Sequence, residues 1–197
     1  FKNVTANHTI EAVFAKVEAK PTNPFVDVAE GTYYYDPVLW AVANGITSGV
    51  DATHFEPEGT CTRAHAVTFL WRASGQPEPK TTNMPFRDVK PGSYYEKAVL
   101  WAVENKITNG TGTTTFSPDE NCTRAQIVTF LWRSEGEPYA SDSNNPFTDI
   151  ASDYYMDAVF WAVKEGITNG TTPTTFSPNE RCTRAQIVTF IYRAMVS

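Results

Sequence analysis

Basic excess is the first thing this sequence lacks: 16 lysines and arginines stand against 22 acids, a formal net charge of −6. A nucleic-acid partner needs a concentrated basic face, so that class is set aside. Long apolar runs are missing as well, and without a stretch of about 18 such residues no membrane insertion is expected. Neither does a charged segment followed by an apolar one open the chain. Phe1 falls in the middle of an element. The expectation is therefore the C-terminal piece of a longer, exported protein whose signal lies upstream.

Histidine is scarce. His8, His54 and His65 stand at unrelated positions, and no paired carboxylates or Ser/Cys–His set accompany them. Acid–base or nucleophilic catalysis needs such groups to converge, so an enzyme is not expected, and no cofactor is implied. Cysteine is equally sparse: Cys61, Cys122 and Cys182 are an odd number, unsuited to a disulfide framework. Each reads as a small buried hydrophobe. A Cys₃ metal site is the alternative, although no histidine recurs with the cysteines to complete a zinc set.

What the chain does contain is itself, three times. CTRAHAVTFLWR at 61–72 returns as CTRAQIVTFLWR at 122–133 and CTRAQIVTFIYR at 182–193, a period of about 60 residues. Each copy is marked as a helix start. Thr62, Thr123 and Thr183 suit the N-cap, and Gln126 and Gln186 three residues on can close a capping box. The cysteine before each threonine falls where a hydrophobic staple begins. Apolar residues on most sides of the following turns predict a buried helix.

Upstream of each long helix the same sequence of signals recurs. Phe25, Phe86 and Phe147 follow a proline and open FVDV, FRDV and FTDI. Tyrosine pairs come next, then PVLWAVANGIT, AVLWAVENKIT and AVFWAVKEGIT, which predict a short amphipathic helix. Gly45 and Gly166 fit its left-handed C′ position, where Lys106 is a costlier choice. Gly49, Gly110 and Gly170 mark a tight loop, and Phe55, Phe116 and Phe176 are expected to plug it into the core. Connectors 73–85 and 134–146 can each span roughly 40 Å, enough to carry the chain around a compact body. Each repeat alone is of marginal size, so the three are expected to pack as one unit. Residues 1–16 alternate apolar and polar like an edge strand, and 17–24 read as a linker.

Phe-x-Asp-Val/Ile, Tyr-Tyr, Ala-Val-x-Trp-Ala-Val, Gly-Ile-Thr-x-Gly, Phe-x-Pro and Thr-Arg-Ala-x, in triplicate over 25–197, together resemble the S-layer homology domain family. Residues 1–16 resemble the last strand of an InlB-type β-repeat. The resemblance implies an all-α, pseudo-threefold body of helix–loop–helix repeats (25–73, 86–134, 147–197) after a short β-like remnant, with grooves between adjacent repeats. It implies a monomeric, extracellular module that tethers its protein to secondary cell-wall polysaccharide, often a polymer of pyruvylated amino sugars. The rival reading is a lattice or protein-interaction module with no glycan ligand. The family tetrad usually ends in Glu; here it reads TRAH, TRAQ and TRAQ.

Candidate ligand-binding residues follow. Arg63, Arg124 and Arg184 stand at N1, where a cation opposes the helix dipole. Either each arginine and the helix-start N–H groups capture one carboxylate, or each arginine pairs with Asp27, Asp88 or Asp149 of a neighbouring repeat. Trp40, Trp101 and Trp161 offer flat faces to a sugar or else pack in the core, and Tyr34, Tyr95 and Tyr155 carry the same two readings. Gly49, Gly110 and Gly170 admit backbone amides to a ligand or merely permit the turn. Repeat one is expected to be the outlier. It has His65, Ser48 and Val50 in place of Gln, Asn and Thr. His65 is expected to cap poorly, leaving the Thr62 N–H to bond elsewhere, and when protonated to make a groove at Arg63 pH-dependent. Fewer than three strong sites are expected.

Overall fold

The structure is a computed structural model and describes residues 22–141 and 145–196. The strand expected over 1–16, most of the 17–24 linker and His8 lie outside the described residues. Among those described there are six α-helices: α1 (Tyr35–Ala43), α2 (Arg63–Ala73), α3 (Glu96–Glu104), α4 (Arg124–Ser134), α5 (Met156–Lys164) and α6 (Arg184–Val196).

The short helices end identically. Gly45, Lys106 and Gly166 sit at φ 67, 58 and 69°. Their N–H groups reach back to Val42, Val103 and Val163, while Ile46, Ile107 and Ile167 reach the carbonyls of Ala41, Ala102 and Ala162 at 2.8 Å. That is the two-bond Schellman closure, and it drives each isoleucine fully into the core. Lys106 thus adopts the left-handed conformation that glycine takes in the other two repeats.

The long helices begin at Thr62, Thr123 and Thr183. Gln126 and Gln186 close the capping boxes, their Oε1 atoms accepting the cap N–H at 3.1 and 3.2 Å. His65 does so too, against expectation. Its Nδ1 accepts from the Thr62 N–H, although at 3.4 Å, so a neutral imidazole replaces the amide oxygen with a longer bond.

The first two N–H groups of each long helix are taken up by another repeat. Arg63 and Ala64 donate to the carbonyls of Glu120 and Pro118, Arg124 and Ala125 to those of Glu180 and Pro178, and Arg184 and Ala185 to those of Gly59 and Pro57. Cys122 N–H donates to Cys61 O, Cys182 to Cys122 and Cys61 to Cys182, at 2.8, 2.8 and 3.1 Å. Three repeats therefore close a ring of backbone hydrogen bonds around the pseudo-threefold axis. The cysteines are fully buried with free thiols, and burial pushes the Cys61 and Cys122 thiols up to about 12.

Helix packing follows the same cycle. α2, α4 and α6 meet one another at the centre, while α3 lies on α2, α5 on α4 and α1 on α6. Each short helix thus packs on the long helix of the repeat before it, and the first packs on the last. Leu70, Leu131 and Ile191 of these long helices have no exposure, and burying each side chain contributes about 1.5–3 kcal/mol. No repeat owns a complete core.

Candidate functional site

Three grooves of about 460, 410 and 420 Å³ surround Gly170, Gly110 and Gly49 respectively. Each is assembled from all three repeats. Around Gly110 the loop 108–111, Gln126, Thr129, Phe130 and Arg133 come from repeat two, Arg63 from repeat one and Tyr154 from repeat three. The cycle carries Arg124 and Tyr33 to the Gly170 groove, and Arg184 and Tyr94 to the Gly49 groove.

The glycines are required by both turn and packing. Gly110 has φ 83°, and a Cβ there would meet the Thr115 carbonyl and lie 2.5 Å from Phe86 Cε1. The phenylalanine that opens each repeat therefore lies directly against the loop that floors the groove. Phe55, Phe116 and Phe176 are fully buried plugs, as expected.

At the back of each groove lies an arginine that is only 2–6% exposed. Arg124 donates Nε–H to Phe176 O at 2.8 Å, and its guanidinium carbon lies 4.8 and 5.4 Å from the Phe176 and Phe190 ring centroids. Arg63 repeats this against Phe116 and Phe130, and Arg184 against Phe55 and Phe69. In all three, Nη2 is buried with no hydrogen-bond partner. Among the described residues no carboxylate comes within 4.0 Å of these cations. Burial pushes all three pKa values down, yet an arginine stays protonated. A buried cation with no carboxylate in contact is costly in a folded protein, and here it occurs three times; Glu120 and Asp88, Glu180 and Asp149, and Glu56 and Asp27 act on Arg63, Arg124 and Arg184 only from farther away.

Two expectations are corrected by this geometry. The helix-start N–H groups do not converge on a ligand, because neighbouring carbonyls and the threonine caps already use them. The direct Arg–Asp pair is absent as well, because the aspartates hold backbone instead. Asp88 accepts from the N–H groups of Phe116 and Ser117 at 2.8 and 2.7 Å. Asp27 does the same at Phe55 and Glu56, and Asp149 at Phe176 and Ser177. They secure left-handed residues (Glu56, Ser117, Ser177; φ 56–60°) beside the carbonyl that each arginine engages.

The structure places the remaining candidates elsewhere. Trp101 and Trp161 are buried on α3 and α5. Trp40 is half-buried on α1, edge-on to Tyr192 with centroids 5.5 Å apart. None of the three lines the grooves around Gly49, Gly110 or Gly170; Trp161 borders a separate pocket of about 260 Å³ beside Glu165 and Arg193. Tyr95 and Tyr155 are buried and Tyr34 is half-buried. The first tyrosine of each pair faces the groove instead: Tyr33, Tyr94 and Tyr154 are 51–54% exposed. Arg72, Arg133 and Arg193 also line the grooves, each donating Nη1–H to the carbonyl of Ile46, Ile107 or Ile167. These two sets were not singled out from the sequence, although their recurrence at one offset in all three repeats was a usable signal. His65 shares its groove with Arg184 rather than Arg63, which corrects where a pH-dependent site would lie. Burial first, then Arg184, pushes its pKa down.

The family model for the S-layer homology domain matches residues 24–67, 85–128 and 146–188. An endoglucanase from Bacillus sp. (strain KSM-635) is 37% identical over 117 residues, 59% of this chain and 12% of that protein. The cellulosome-anchoring protein of Acetivibrio thermocellus is 26% identical over 181 residues, 87% of this chain and 39% of its own length. An amylopullulanase of Thermoanaerobacterium thermosulfurigenes is 28% identical over 195 residues, 96% of this chain and 10% of that protein. The chain spans well under two thirds of each of these relatives.

Proposed function

The chain belongs to the S-layer homology domain family, with three such domains in tandem, and from that premise we propose that it anchors its protein at the cell surface by binding a cell-wall polysaccharide with acidic sugars. The observation that carries the reading is the threefold buried arginine. Each lines a groove, has an unpartnered Nη2 and has no carboxylate within 4.0 Å among the described residues. A carboxylate on a sugar, such as a pyruvate ketal, would satisfy both the charge and the orphaned donor. The exposed tyrosine opposite each arginine gives the sugar ring an apolar face, and the loop threonines offer hydroxyls. Relatives named for anchoring and for polysaccharide hydrolysis fit a tethering role. No helix among the described residues is long and apolar enough to cross a membrane.

The test is sedimentation with purified cell-wall sacculi, native and stripped of their polysaccharide. Wild type should co-sediment with the native sacculi alone, and replacing Arg63 and Arg124 together by Met should abolish it. Equal binding to stripped sacculi would refute the glycan reading in favour of a protein or peptidoglycan contact.

A further inference from the structure

The three grooves share a plan but not a charge. Around Gly110 and Gly170 the residue after the plug is Ser117 or Ser177, whose hydroxyl bonds Thr111 or Thr171 at 2.7 Å. Around Gly49 the same left-handed position is Glu56, and the threonine's place is taken by Val50. Glu56 lines the groove that Arg184 serves. It is exposed and free of any ion pair within 4.0 Å among the described residues. Its negative charge acts on Arg184 as those of Glu120 and Glu180 act on Arg63 and Arg124, but Glu120 and Glu180 do not line the grooves. Neither of the other grooves has an acidic residue in its lining.

A second difference is aromatic. His65 stacks on Tyr94 with ring centres 5.9 Å apart and planes 25° apart, and on Phe69 at 6.4 Å and 27°. Glutamine stands at this place in the other grooves. Each groove tyrosine meets the next tyrosine edge-on, but among the described residues only Tyr94 also has a ring stacked on its face. Thr60, absent from the other linings, adds a hydroxyl.

Resting on the glycan reading above, we propose that the grooves are of two kinds: those around Gly110 and Gly170 take a carboxylate-bearing sugar, and the one around Gly49 takes an uncharged sugar residue. Glu56 bars the acid there. Like charge brought into a partly desolvated site suppresses the wrong ligand, whereas a free carboxylate is a strong acceptor for the hydroxyls of a neutral sugar. The Tyr94–His65 pair supplies a broadened face for the ring. One module would then read an alternation of acidic and neutral residues along a polymer rather than bind the same residue three times.

The backbone amides of Gly49, Gly110 and Gly170 make three site-resolved reporters in an ¹⁵N-labelled protein. The probes are an N-acetylhexosamine methyl glycoside and the same glycoside carrying a pyruvate ketal. The ketal sugar should shift Gly110 and Gly170 and leave Gly49 still, and the neutral sugar should shift Gly49. Glu56→Ser copies the residue that the other repeats hold at this φ, and it should let the ketal sugar reach Gly49 with an affinity gain of roughly tenfold or more. Tyr94→Ala should abolish the neutral-sugar shift at Gly49 alone. Three equal responses to the ketal sugar in wild type would overturn the inference. So would a Gly49 amide that ignores the neutral sugar, or an Glu56→Ser protein that still excludes the acid. Silence at Gly110 and Gly170 with the ketal sugar would instead defeat the anionic-glycan reading on which the inference rests.

Discussion

Replacing Arg124 by Met separates what this buried cation does for the fold from what it does for a ligand. The substitution keeps an unbranched side chain between the Phe176 and Phe190 rings but removes the Nε–H bond to Phe176 O. An unsatisfied buried carbonyl costs about 1–3 kcal/mol, and the lost desolvated cation–π contact about 2. Against this, a buried charge with no carboxylate in contact disappears together with its orphaned Nη2, and the desolvation penalty of such an ion is several kcal/mol. The two sides nearly cancel. Arg124→Met should therefore shift unfolding stability by no more than about 2 kcal/mol in either direction, while Arg124→Ala, which adds a cavity, should cost about 2–4. Urea unfolding and co-sedimentation with sacculi should be read on the same preparations, with Arg124→Met losing the contribution of its groove to binding. A methionine variant that loses more than 4 kcal/mol would show that the arginine is a pillar of the fold. One that keeps full binding would show that the groove is not the site.

Three further outcomes are expected. Because burial depresses the His65 pKa, the unfolded chain takes up the proton first as pH falls below about 6.5, so stability is lost from there down through the folded pKa; His65→Gln should flatten the melting profile between about pH 7 and 5, measured by calorimetry. Gly110→Ala should cost about 2–4 kcal/mol in urea unfolding, combining left-handed strain with overpacking against Phe86, whereas Lys106→Gly should gain up to about 1 kcal/mol. Deleting 147–197 removes the helix on which α1 packs and the partner of the Cys61 N–H, so the remaining two repeats should melt without a sharp transition; a cooperative melt would contradict the shared core.

Much of the architecture was legible because the signals are local. The threonine caps and the left-handed residues at 45, 106 and 166 each depend on neighbours within a few positions, and the phenylalanine plugs stood out by recurring at one offset in all three repeats. What stayed hidden is which repeat each element meets. Three near-identical sequences do not say whether α3 lies on α2 or α4, and the composition of every groove depends on that choice. The aspartates were misread for a related reason: a carboxylate with two backbone N–H donors 27 to 29 residues away looks in sequence like a free partner for a cation. The tyrosine pairs gave no clue to which member faces out, since both are aromatic and adjacent.

The ring of bonds among Cys61, Cys122 and Cys182 also bears on how such a chain can evolve. Each repeat donates to one neighbour and accepts from the other, and the circuit is complete at three. A duplicated fourth copy would find every axial donor and acceptor already engaged and would have no long helix free to receive its short one. A lost copy would leave one partner wanting at both ends. A change of copy number by one would therefore break the ring, whereas a whole added triplet could close a ring of its own. Within a triplet each copy serves three grooves, lending an arginine to one and a tyrosine to another while supplying the loop of its own, so a change in one copy is felt beyond its own groove.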